Sequence, residues 1–237
     1  MQAVILAGGR GSRLDPFSRV LPKPLFPVGN RPLAAILVCQ LQAVGFSEIV
    51  MCLGYCADII TAYFQDGSGF GIPVRYVVET APLGTAGPLK KISGLADNFL
   101  VVNGDELTTL NFRRFYDYHL DQQAIMSVAV QEKNITASFG VLELQNGRVV
   151  NYREKPALNY WASMGIYMLN RQATEFLPDG KPYDMPNLVQ ALLANKAYVA
   201  GFPSSDLWFD IGTMNDLEKA KQAVQENPAL AEFRNPD

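Results

Sequence analysis

The chain has only three cysteines, one histidine and two tryptophans, and each scarcity closes off a class of protein. Cys39, Cys52 and Cys56 are odd in number and widely placed, unlike the dense, even cysteines of a secreted disulfide scaffold. They read as reduced, mostly buried thiols of a cytoplasmic protein. Cys52 and Cys56 resemble half of a metal site, but no second Cys/His pair exists to complete it. The sole histidine, His119, stands at helical spacing beside Phe115 and Tyr116 and reads as a packed or surface residue. No apolar run approaches the roughly 20 residues that span a bilayer. The N-terminus has no basic segment ahead of its apolar run, so it reads as the first core strand and not as a signal sequence. Basic charge is short too. Twenty Lys and Arg against 23 Asp and Glu give a net charge of −3, with no excess to hold nucleic acid. Negative substrates must then be held by local positive groups and metal, not by the overall field. Two common phosphate motifs are also missing. A G-x-G-x-x-G fingerprint counted from Gly9 would need glycine at Leu14, and no Gly-Lys-Ser/Thr triplet occurs.

What is present is a glycine-rich loop of another kind. Ala3-Val4-Ile5-Leu6 is an apolar run suited to a strand buried on both faces. Ala7-Gly8-Gly9-Arg10-Gly11-Ser12-Arg13-Leu14 follows it directly. Glycines there free the backbone to curl and leave N–H groups uncovered for phosphate. Arg10, Arg13, Arg19 and Lys23 add positive charge nearby, against the single acid Asp15. The plain alternative is a glycine turn with a solvated basic edge.

Strands and helices alternate after this loop. Helices are expected over Leu33–Val44, Ala57–Phe64 and from Gly84 to Leu95. Strands are expected over Glu48–Leu53, Val74–Val78 and Phe99–Asn103. That order implies a Rossmann-like α/β fold with a mostly parallel sheet, and ligands beyond the carboxyl ends of its strands. The loops starting at Gly8, Glu79 and Gly104 all leave those ends and should converge. From Asn111 the character changes. One helix to Asp121 precedes strands over Ala124–Val130, Phe139–Leu144, Val149–Arg153 and Ala162–Leu169, with Asn146-Gly147 as a hairpin turn. This half reads as mixed or antiparallel. Helices over Asn187–Asn195 and Met214–Gln225 close the chain, and the polar segment after Asn227 reads as frayed. Residues 1–237 read as one domain, with halves of about 1–110 and 111–227 and no hexapeptide repeats for an appended β-helix.

Four further places carry chemistry. Asp105, in Asn103-Gly104-Asp105, follows a buried strand and can reach a metal-bound phosphate, or simply form a turn. Asp210, in Trp208-Phe209-Asp210-Ile211-Gly212, is an acid between hydrophobic residues; it either binds metal or caps the next helix. Glu79-Thr80-Ala81-Pro82-Leu83-Gly84-Thr85 leaves a strand with proline and glycine, so a flat base could lie on Leu83 and Gly84. Its alternative is a strand-to-helix turn with Thr85 near the cap. Glu154-Lys155-Pro156 ends another strand and is, at its plainest, an exposed ion pair.

The two-part pattern Gly8-Gly9-x-Gly11-Ser12-Arg13-Leu14 with Pro22-Lys23-Pro24-Leu25 and Pro27-Val28 resembles that of the sugar-1-phosphate nucleotidyltransferases. The resemblance covers roughly Met1 to Ala223. It implies a GT-A-like fold, Mg²⁺ as cofactor, and a nucleoside triphosphate and a hexose-type sugar 1-phosphate as partners. Leu6, Ala7, Gly8, Gly9, Arg10, Gly11 and Ser12 would cradle the nucleotide. Arg13 would hold the leaving pyrophosphate, Lys23 would bridge phosphates, and Asp105 and Asp210 would hold the metal. Glu79, Pro82, Leu83, Gly84 and Thr85 match the base loop found especially in mannose-1-phosphate guanylyltransferases, which favours GTP, with UTP or dTTP as alternatives. On the sugar side stand Asn103, Gly140, Glu154 and Lys155. Ser163 replaces the asparagine usual in the guanylyl branch and is similar to the ADP-glucose enzymes. The acceptor phosphate, with a second pKa of about 6, is already dianionic at neutral pH, so no general base is needed. A non-catalytic sensor on the same fold, or a non-sugar acceptor such as phosphocholine, are the competing classes. Homo-oligomerisation is left open.

Overall fold

Ala3-Val4-Ile5-Leu6 forms the strand that its unbroken apolar run predicts. In the computed structural model, which describes residues 1–230, β1 (Gln2–Ala7) leads into the glycine loop. A two-residue pair, β2 (Pro27–Val28) and β3 (Arg31–Pro32), comes next. Then follow α1 (Leu33–Ala43), β4 (Glu48–Leu53), α2 (Ala57–Phe64), β5 (Val74–Val78), β6 (Asn98–Asn103) and β7 (Glu106–Thr108). The second half runs α3 (Phe112–Gln122), β8 (Met126–Thr136), β9 (Val141–Gln145), β10 (Arg148–Arg153) and β11 (Ala157–Asn170). It closes with α4 (Met185–Ala194), β12 (Val199–Pro203), β13 (Trp208–Asp210) and α5 (Met214–Glu226). The polar tail read as frayed lies, from residue 231, outside the described residues.

Seven strands make the main sheet in the order β12-β8-β11-β6-β1-β4-β5. β6, β1, β4 and β5 are parallel, with Gln2 opposite Glu48 and Phe99. β11 runs antiparallel to both β6 and β8. Alternation along β1 sends Ala3 and Ile5 to one face, with Leu37, Val38 and Phe115, and Val4 to the other, with Leu89, Leu188 and Leu192. Both faces are covered, which is why the parallel strands are continuous hydrophobic runs. A third cluster sits beside the sheet. It joins Leu14, at the foot of the glycine loop, to Phe26, Ile36, Ile211 and Leu217. Leu14 has no exposed area, and burying it contributes about 2 kcal/mol toward fixing the loop.

Two expectations need correction. No α-helix runs from Gly84 to Leu95; the segment has only a 3-10 helix at Gly87–Lys91. Pro88 has no N–H to give, and the N–H groups of Ala86 and Gly87 go instead to the Tyr183 carbonyl, at 2.8 and 2.9 Å. The strand expected to open at Ala162 begins at Ala157 and pairs with β8 out to Thr136. With the hairpin β9–β10, these strand ends form an exposed arm. Asn146 and Gly147 both have positive φ, 50° and 78°, as the hairpin turn requires.

Candidate active site

The loops after β1, β5 and β6 do converge at the carboxyl ends of the parallel strands. They enclose a cleft of about 380 Å³. Its phosphate-side wall is Gly8, Gly9, Gly11, Arg13 and Lys23, with Leu6 and Ala7 at the strand end. Pro82, Leu83, Gly84 and Thr85 face them, and Asn103 and Asp105 lie at the base. Lys23 is buried and its ammonium is ion-paired with Asp105. Arg13 rests against Gly212, where an added Cβ would lie 3.1 Å from Arg13 Nη1. The other cations of the loop stand apart. Arg10 is exposed and stacks on Tyr55, 5.9 Å from the ring centre. Arg19 is turned away to Asp15 at 3.0 Å. Ser12 opens the 3-10 turn Ser12–Leu14 and, like Arg10, does not line the cleft.

Asp105 and Asp210, separated by about half the chain, meet because β13 pairs antiparallel with β7, setting Asp210 opposite Glu106. Oxygens of Asp105, Glu106 and Asp210 all lie within 4.8 Å of one another. Asp210 is exposed by area, so the closed apolar setting expected for it is not found. Nor does it cap α5: Thr213 does, accepting the Asp216 N–H at 3.3 Å, while Asp216 accepts the Thr213 N–H at 2.9 Å. Protein atoms crowding the Asp210 carboxylate raise its pKa, and Asp105 adds to the rise while Lys23 and Arg13 oppose it. Glu106 was not singled out in the sequence. It is buried, accepts the Trp208 indole N–H at 2.7 Å and an Asn103 amide N–H at 3.2 Å, and burial pushes its carboxyl well above the usual range. The consecutive acids in Asp105-Glu106 were the only signal for it. Hard oxygen donors at this separation fit a divalent cation such as Mg²⁺, with Asp105 and Asp210 on the open side.

The base loop has an internal brace. Glu79 accepts the Leu83 N–H at 2.9 Å through Oε2, and its Oε1 would lie 2.9 Å from a Cβ placed on Gly8. Burial raises the Glu79 carboxyl, and Glu79 together with burial lifts the neighbouring Cys52 thiol to about 12. Cys52 is therefore an inert wall of the cleft at neutral pH. Gly84 has φ +75°, and a Cβ there would fall 2.6 Å from Asp184 Oδ1 and 2.7 Å from the Tyr183 carbonyl. Only glycine fits this left-handed turn.

The acceptor-side residues are spread out. Ser163 is exposed and donates to the Tyr167 hydroxyl at 3.2 Å. Gly140 packs under the Tyr152 ring, whose hydroxyl donates to Glu154. Lys155 is exposed, with φ +41°. Gly140, Glu154 and Lys155 belong to the exposed arm, and none of them lines the cleft. The structure thus gathers the expected nucleotide-side residues except Arg10 and Ser12, brings Asp105, Glu106 and Asp210 together, and leaves the arm residues outside.

A mostly parallel sheet thus carries a glycine-rich loop, a Pro-Leu-Gly-Thr loop and a group of carboxylates at its strand ends. The sequence profile described as "Nucleotidyl transferase" matches residues 2–227, and the chain belongs to this family. It is 31% identical to a UTP–glucose-1-phosphate uridylyltransferase of Synechocystis, over 94% of this chain and 63% of that protein. It is 30% identical to a D-glycero-alpha-D-manno-heptose 1-phosphate guanylyltransferase of Aneurinibacillus thermoaerophilus, over 95% of this chain and 99% of that one. The fold superposes with a TM-score of 0.73 on HddC from Yersinia pseudotuberculosis complexed with GMP-PN, at 26% identity, covering 94% and 98% of the two chains. The chain spans less than two thirds of the uridylyltransferase and nearly all of the guanylyltransferase. Among the described residues no helix is long and apolar enough to cross a membrane.

Proposed function

We propose that the chain transfers a nucleoside monophosphate from a triphosphate, GTP by preference, to a sugar 1-phosphate and releases pyrophosphate. The observation that carries this reading is one cleft walled by the glycine loop with Arg13 and Lys23, by the base loop, and by Asp105. The acceptor phosphate oxygen attacks the α-phosphorus in line, and catalysis is positioning and charge neutralisation. The amides of Gly8 to Gly11 and the Arg13 guanidinium receive the leaving pyrophosphate. Lys23 contacts the phosphates from the buried side. Asp105 and Asp210 would hold Mg²⁺, which would supply charge neutralisation at the reacting phosphates. The roles of Gly140, Glu154, Ser163 and Lys155 toward sugar and acceptor phosphate rest on their motifs alone. The guanylyl preference rests on the base-loop motif and on a guanylyltransferase relative that matches end to end. A cytoplasmic setting fits its three free cysteines. The test is a matrix of nucleoside triphosphates against sugar 1-phosphates, including hexose and heptose 1-phosphates, read by pyrophosphate release. Fastest release with GTP supports the reading. Preference for UTP or dTTP overturns the base assignment, and no release with any pair overturns the activity.

A further inference from the structure

The base loop is fixed from a distant part of the chain. Tyr183 and Asp184, at the start of α4, meet it with a set of hydrogen bonds spanning about 100 residues of sequence. Asp184 Oδ1 accepts the Thr85 N–H at 2.9 Å and the Thr85 hydroxyl at 3.4 Å. The same hydroxyl accepts the Met185 N–H at 2.8 Å. The Tyr183 N–H donates to the Leu83 carbonyl at 2.8 Å, and its carbonyl accepts from Ala86 and Gly87. Asp184 also lies against Gly84, the left-handed turn of the loop. Leu83, Gly84 and Thr85 line the cleft, and Asp184 does not.

We propose that Asp184 is a positioning residue for the nucleotide donor: from the N-terminus of α4 it holds the Leu83–Thr85 turn at the height that receives the base. This inference rests on the nucleotidyl-transfer reading and extends it to a residue outside the cleft. Glu79 braces the Leu83 N–H from within the loop, and the Asp184 carboxylate is the side-chain acceptor reaching it from α4; the Tyr183 anchoring is backbone. Removing the Asp184 carboxylate takes the acceptor from the Thr85 N–H and the N-cap side chain from α4, which should lower Tm by about 2–4 °C, while the Tyr183 backbone bonds stay in place. The loop meets only the donor, so acceptor binding and the chemical step are spared.

The experiment compares wild type with Asp184→Ala and Asp184→Asn, measuring KM for the preferred triphosphate and for the sugar 1-phosphate separately, with kcat and Tm. Loss of one such hydrogen bond predicts a donor KM about tenfold higher in Asp184→Ala. Acceptor KM should be unchanged and kcat should stay within about twofold. Asp184→Asn keeps an acceptor oxygen and should recover most of the donor KM. A donor KM unchanged in Asp184→Ala overturns the proposal. So does a parallel loss in both KM values and kcat with a fallen Tm, or an Asn variant as impaired as the Ala variant. Calorimetric titration with the best-binding triphosphate gives the same comparison without turnover. A wild type that binds the triphosphate but transfers nothing refutes the transfer reading, while the calorimetric difference still decides the role of Asp184.

Discussion

Asp105→Asn separates the catalytic from the structural work of one carboxylate. Lys23 is buried, with 8% of its area exposed, and Asp105 is its ion-pair partner. Asparagine keeps an acceptor oxygen for the ammonium but loses the charge. Exchanging the ion pair for an ammonium–amide hydrogen bond costs about 1 kcal/mol. The same change relieves Glu106 and Asp210, whose carboxyls Asp105 helps to push up, and that relief offsets part of the cost. The net change in Tm should be within about 3 °C for a chain of this size. Turnover is another matter. A neutral amide is a poor ligand for Mg²⁺, and losing that electrostatic clamp costs roughly 3–4 kcal/mol, or 10²–10³ in kcat. Asp105→Ala should be as inactive and clearly less stable. It leaves a buried cation unpaired, a loss bounded above by about 3–5 kcal/mol for full burial and smaller here because Asp105 is half-exposed. The assays are pyrophosphate release across a Mg²⁺ titration, thermal melts, and Mn²⁺ binding followed by electron paramagnetic resonance. Asp105→Asn with kcat within threefold of wild type at saturating Mg²⁺, and unchanged Mn²⁺ binding, would refute the assignment.

Gly84→Ala should raise donor KM more than tenfold, because a Cβ would lie 2.6 Å from Asp184 Oδ1 in a backbone region that alanine disfavours; unchanged kinetics would show that the loop has room. Arg13→Ala should lower kcat more than it raises donor KM, with only partial recovery in Arg13→Lys; a pure KM effect would make Arg13 a binding residue alone. Glu79→Gln should slow GTP turnover about ten- to hundredfold and narrow its lead over UTP, because the carboxylate both braces Leu83 and offers acceptors to guanine; an unchanged donor ranking would remove Glu79 from base reading. Burial holds His119 at a pKa of about 4, below its ordinary 6.5, so folding favours the neutral ring. Its contribution to stability is complete above pH 6.5 and falls as pH drops toward 4, by about 2 kcal/mol at pH 5; equal urea midpoints for wild type and His119→Gln across pH 7 to 5 would contradict this.

The parallel half was legible because buried strands leave an unbroken apolar record, and the loops at their carboxyl ends then had one place to meet. Gly8 to Lys23 was legible for a related reason: glycines and cations close in sequence act on one another locally. What the sequence hid was tertiary. The segment after Gly84 has the length and composition of a helix, yet its N–H groups are claimed by Tyr183, about a hundred residues on. Asp184 stands outside the helix expected from Asn187, and nothing in the sequence ties it to Thr85, a hundred residues earlier. Glu106 looks like a second turn acid, and only the pairing of β7 with β13 places it among Asp105, Asp210 and Trp208. Arg19, counted among the phosphate cations, has an acid four residues before it. That local i,i+4 pairing with Asp15 was readable and outweighed its nearness to the glycine loop.

Charge accounting around the cleft explains why metal and triphosphate belong together in this reading. Two side-chain cations, Arg13 and Lys23, face the three carboxylates Asp105, Glu106 and Asp210. Lys23 is already committed to Asp105. Burial first, and the neighbouring acids second, raise the carboxyls of Glu106 and Asp210. A polyphosphate arriving alone would meet the backbone amides and Arg13 on one side and a carboxylate group on the other, and repulsion would oppose it. Asp105, Glu106 and Asp210 would hold a divalent cation whose charge would offset theirs, leaving Lys23 available to phosphate as well as to Asp105. The net charge of the chain, −3, gives no help from long range. On the proposed reading, selectivity for a metal-bound triphosphate would be built locally, into the strand pairing that brings Asp210 to Glu106 and the buried lysine paired with Asp105.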